Sequence, residues 1–134
     1  MAFGFHNRLR AELIDHLAND GQGEWELLSP LIFEDRDGNI WTVPAGFTTD
    51  YSSVPRAPIV YLRYGNRAHA PAAVHDWAIR TKACTREYAD QLFRQAMESI
   101  KMADKHVGPM FRAVSAETRN IAERENPTHN DFHS

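Results

Sequence analysis

The residues with the greatest chemical reach in this chain are Asp50, Ser53, His75, Asp76 and Asp90. Carboxylates, an imidazole and a hydroxyl are the groups that move protons, attack electrophilic centres and bind divalent cations. Asp50 and Ser53 stand in GFTTDYSSVPR, residues 46–56, and His75 and Asp76 adjoin in PAAVHDWAIRT, residues 71–81. Adjacent helical residues point ~100° apart, so His75 and Asp76 serve one site only if it lies between their two directions. His69 shares the face of Asp76 if the helix extends back past Pro71. Asp90 aligns with Phe93 and Met97 on the flank of an apolar stripe, where a carboxylate is costly without a partner. His75, Arg80 or a metal are the candidates for that partner.

Two chemistries use these groups. Asp50, His75, Asp76 and Asp90 form an O/N ligand set for Zn²⁺, Mn²⁺ or Mg²⁺. A metal-bound water would then be the nucleophile and a remaining carboxylate the general base. The catalytic candidates are Asp50, Ser53, His75 and Asp76. Ser53 with His75 and an aspartate would make a triad, although no GxSxG elbow is present. Cys84 precedes the helix cap Thr85, where a thiol pKa can fall, yet lone cysteines are more often small core residues. His69 and Asp90 lie too close to the His-Asp doublet for the pattern of the metal-dependent phosphohydrolases that share such a doublet. The bland alternative is a structural knot. Thr49, Asp50, Ser52 and Ser53 can satisfy local backbone groups, and Asp90 with His75 can be a buried pair.

The elements that must position these groups fall into two halves. Leu31-Ile32-Phe33 and Ile40-Trp41-Thr42-Val43 flank Asp37-Gly38 and read as a hairpin. Residues 9–17 fit a strand or a helix, and the strands that follow favour a strand. Residues 71–81 read as a helix with Pro71 at its first position. Thr85 is a candidate cap for a second helix, whose Ala89, Leu92, Phe93, Ala96, Met97 and Ile100 recur at helical spacing. A last helix is expected from about Pro109. The fold class is therefore α+β, a small antiparallel sheet from the N-terminal half with three or four helices packed on it. Residues 1–122 form the expected single domain, with a polar tail over 123–134.

Composition limits what the site can serve. The 134 residues are 43% hydrophobic and 25% charged, which suits one globular domain rather than a disordered chain or a fibre. The net charge of −3 argues against nucleic acid as the main partner. Arg56, Arg63 and Arg67, with Tyr61 and Tyr64 among them, form a weak candidate anion-binding face, or else a solvated surface. The single cysteine excludes an internal disulfide framework. No apolar run approaches the ~20 residues of a membrane span, and no signal-like stretch follows the N-terminus, so a cytosolic product is expected.

The order VPAGFTTDYSSVPR, AAVHDWAIR and TREYADQLFRQAM resembles the domain-of-unknown-function 1353 family of small phage and bacterial proteins, over roughly residues 24–115. The motif polar positions carried over are Thr49, Asp50, Ser53, His75, Asp76 and Asp90. The resemblance implies a phage or prophage origin and a compact α+β domain, without an established activity. It frames three expectations. The first is a metal-dependent hydrolase acting on cell-envelope or nucleotide material. The second is a non-enzymatic virion component or assembly factor that meets other phage proteins, or itself, through a free sheet edge. The third is a host-directed inhibitor or binder using the arginine stretch. The expected location is the cytoplasm of an infected bacterium, or the virion.

Overall fold

The structure, a computed structural model, describes residues 2–18, 23–51 and 69–125, with side chains to residue 119. Ser53, Arg56, Arg63 and Arg67 lie outside the described residues, as does the tail beyond residue 125.

The β half contains six short strands: β1 (Gly4–Phe5), β2 (Ala11–Asp15), β3 (Glu24–Leu27), β4 (Leu31–Glu34), β5 (Ile40–Val43) and β6 (Thr48–Thr49). They form two three-stranded antiparallel sheets, ordered β1-β4-β5 and β2-β3-β6. The β4–β5 hairpin runs in register from Leu31 opposite Val43 to Glu34 opposite Ile40. Its turn places Gly38 at a φ of 85°, a conformation that the Asp-Gly pair supplies at little cost. Residues 11–15 are a strand, because their hydrogen-bond partners are the backbone groups of β3. β1 was not foreseen: two residues show no periodicity, and only pairing with β4 makes them a strand.

The α half contains α1 (His69–Thr81), α2 (Arg86–Ser99) and α3 (Asp104–Glu125). α1 starts two residues earlier than expected, so Pro71 is its third residue. Its missing N–H is still one that a first helical turn leaves unpaired. Thr85 caps α2, its side-chain oxygen accepting from the Tyr88 amide at 3.1 Å. α3 begins before Pro109 rather than at it, since the Ala103 carbonyl accepts from the His106 and Val107 amides and starts the helix. It also continues three residues into the segment expected to be tail.

The main core lies between the sheets and the helices. Leu27, Leu31, Phe33 and Val43 from the strands meet Val74 of α1, Leu92, Phe93 and Met97 of α2, and Val107, Met110 and Val114 of α3. Each such side chain stabilises by roughly 1.5–3 kcal/mol on burial. α1 packs on α2 and α2 on α3, while α1 also touches β4 and β5. That stacking brings the polar residues of α1 against the rest of the molecule.

Candidate functional site

His75 sits in the part of α1 where almost every residue is buried, and it is itself 0% exposed. The small neighbours Ala72, Ala73 and Ala78 let the helix sink into the core at that depth. Only the short link of residues 82–85 separates α1 from α2, so the two form a helical hairpin. Asp90, one turn into α2 and 6% exposed, therefore comes back beside His75. Its Oδ1 lies 2.7 Å from His75 Nε2. The Thr118 hydroxyl of α3 donates to the same oxygen at 3.0 Å. One carboxylate oxygen thus joins all three helices. The Phe93 ring stands 5.5 Å from the imidazole and covers it with carbon.

A second arrangement holds Asp76, which is also buried. Its Oδ2 accepts hydrogen bonds from Thr49 Oγ1 and from Arg80 Nη1, the latter at 3.3 Å. The same Arg80 nitrogen donates to the Thr48 carbonyl at 2.6 Å. Thr49 Oγ1 in turn accepts from the Tyr51 amide at 2.8 Å. α1 is tied in this way to β6 and to the chain leaving it. Burial raises the pKa of Asp76; the Thr49 and Arg80 contacts oppose that rise, and the nearby Asp50 charge adds to it.

Tyr51 shapes this exit. It takes a left-handed φ of 61°, unusual for a bulky side chain, and turns its ring into the core. There it stacks on His69, with ring centroids 4.6 Å apart and planes 5° from parallel. His69 is thereby an aromatic partner of Tyr51.

The four sequence candidates for one metal site are therefore divided between two arrangements. Asp90 spends one oxygen on His75 and Thr118, whereas Asp76 faces Thr49 and a guanidinium, with Asp50 close enough to be felt electrostatically. Among the described residues, no group of three or more His, Cys, Asp or Glu side chains is placed to hold a metal ion. Cys84 does not look like a nucleophile, because burial and the Asp90 charge both raise its thiol pKa.

Two parts of the arrangement escaped sequence reasoning. Thr118 follows Met110 and Val114 on one face of α3, and a hydroxyl continuing an apolar stripe was a readable signal for a buried partner. Asp35 is the other. Buried before the hairpin turn, it accepts from the Asp37 and Asn39 amides, from Trp41 Nε1–H at 2.9 Å and from the Tyr88 hydroxyl at 2.9 Å. Tyr88 is 53 residues away, so spacing in the chain gave no sign of that contact.

Residues 25–114 match a family model described as "Protein of unknown function (DUF1353)". No curated protein and no solved structure matches the chain.

Proposed function

The chain belongs to the DUF1353 family, and from that premise we propose that it is a small phage- or prophage-encoded hydrolase whose acid–base pair is His75 and Asp90. The observation that supports this reading is the 2.7 Å contact from His75 Nε2 to Asp90, braced by Thr118. A carboxylate on one ring nitrogen fixes the tautomer and orientation of an imidazole, and it stabilises the imidazolium formed when the other nitrogen takes a proton. His75 would take that proton from a water or from Ser53 as the oxygen attacks an ester or phosphoester of envelope or nucleotide material. It would then return the proton to the leaving group.

A divalent cation has weaker support. His75 and Asp90 are engaged with each other, and Asp76 already has a cationic partner in Arg80.

The experiment is to treat the purified protein with a fluorophosphonate probe and with a panel of chromogenic acyl and phosphoryl esters. Each is run after chelation and after addition of Zn²⁺, Mn²⁺ or Mg²⁺. Hydrolysis lost in His75→Gln and in Asp90→Asn, with the fold retained, supports the reading. Probe labelling lost in Ser53→Ala assigns the nucleophile to the serine. Activity only with added metal, lost in Asp76→Asn, moves the chemistry to the Asp50/Asp76 side.

The second reading, a virion component or assembly factor without catalysis, draws on a different observation. His75 is 0% exposed, and a base must be reached by substrate whereas a clasp need not be. The edge strand β2 and its sequel also present Leu13, Ile14 and Leu17 to solvent, with Leu17 74% exposed. Absence of turnover under every condition, with the protein found in purified particles, selects this reading. The host-directed binder rests on Arg56, Arg63 and Arg67, and loss of partner binding at high salt would be its signature.

A further inference from the structure

The hairpin and the start of α2 enclose a feature that takes no part in the His75–Asp90 pair. It is an open groove of about 540 Å³ lined by Asn39, Ile40, Trp41, Cys84, Thr85 and Tyr88. Two of its walls are aromatic: the Trp41 and Tyr88 rings stand 5.7 Å apart with planes tilted by 44°.

The rings are fixed from behind. Asp35 accepts the Trp41 indole N–H and the Tyr88 hydroxyl, each at 2.9 Å, and the Asn39 carboxamide N–H at 3.3 Å. One buried carboxylate therefore holds the polar tips of three lining side chains, and the two rings, already packed on each other, form one pre-organised aromatic surface. What they offer a visitor is mainly carbon surface, with an amide and a hydroxyl at the rim. None of the six lining side chains is charged, and the nearby Asp35 and Asp37 make the surroundings of Tyr88 electronegative.

Rigid aromatic faces and uncharged hydrogen-bonding groups match a ligand with flat C–H faces and many hydroxyls. We propose that this groove binds a neutral glycan chain, each pyranose ring lying against an aromatic wall. The inference rests on the groove alone and is independent of whether His75 is catalytic.

The test is a titration of isotope-labelled protein with chitotetraose and cellotetraose, with inositol hexakisphosphate as an anionic comparison, followed by amide and indole NMR. The expected result is saturable shifts of the Trp41 indole and of the amides of residues 39–41 and 84–88 with a neutral glycan. Affinity should fall about tenfold in Trp41→Ala. Because that change also removes a donor from Asp35, Ile40→Asp is the second variant. It alters a half-exposed wall position outside the core and should weaken binding as well. Failure of both glycans to shift these signals, shifts confined to another surface, or preferential binding of the anion would each overturn the proposal.

Discussion

The imidazole of His75 and the carboxylates of Asp90 and Asp76 are buried within two neighbouring helices, yet each has a distinct energetic role. His75 and Asp90 form a buried pair, and removing either leaves the other without its 2.7 Å contact. Asp90→Ala should cost about 3–5 kcal/mol in chemical denaturation, mostly for leaving buried polar groups unmatched. Thr118→Val, which keeps the shape and loses one donor, should cost about 1 kcal/mol. A cost for Asp90→Ala no larger than that of Thr118→Val would show that the pair is not what holds the helices. Asp76 behaves in the opposite sense. Its folded-state pKa lies above the unfolded value, mainly through burial, so it takes up a proton more readily in the native state than in the unfolded chain. The associated stability is present below the unfolded pKa and lost as pH rises through the raised folded value. Asp76→Asn should therefore gain on the parent as pH climbs from acid to neutral, and parallel denaturation curves at several pH values will read the difference.

At the level of elements, the helices carry most of the local information. The α2 stripe was visible in the sequence because 3.6-residue periodicity survives any packing arrangement. Its cap was visible too, and Thr85→Ala should lower stability by about 1 kcal/mol, seen as a shift of the denaturation midpoint without a change in slope. The hairpin was equally legible, since Asp37-Gly38 specifies a turn through backbone conformation alone. The two-residue strands were less so. β1 and β6 are too short to have a period, and each exists because a longer strand offers it hydrogen bonds. The start of α3 was misplaced for a related reason. Pro109 was read as a beginning, but the Ala103 carbonyl opens the helix a turn and a half earlier.

For the whole molecule, polar contacts add to the shared core in binding the β half to the α half. Asp35 joins the hairpin to α2 through Tyr88, and Arg36 reaches across to Gln95 and Glu98. Burial raises the Asp35 pKa, but hydrogen bonds from Trp41, Asn39 and Tyr88 outweigh it and hold the carboxyl below its ordinary range. With a depressed folded pKa, its contribution is present above the unfolded value and lost as pH falls through the folded one. Asp35→Asn should consequently flatten the acid side of the stability profile and lower stability at neutral pH by about 1–3 kcal/mol. Thermal melts between neutral and strongly acidic pH will show whether the parent and variant curves converge.

The sequence by itself determined the class of fold, the second helix with its cap, the hairpin, and which polar residues were out of place for mere solvation. Those properties depend on neighbours a few positions away, and periodicity, capping and turn chemistry encode them directly. Only the tertiary structure decided how the polar residues are grouped. Asp50, His75, Asp76 and Asp90 read as one set because spacing gives directions around a single helix but not which neighbouring element each direction meets. Packing sent His75 to Asp90 and Thr118, and sent Asp76 to Thr49 and Arg80. The physical reason is desolvation. A buried carboxylate must find donors wherever the fold supplies them, and here α1 and α3 supply those of Asp90 while β6 and α1 itself supply those of Asp76.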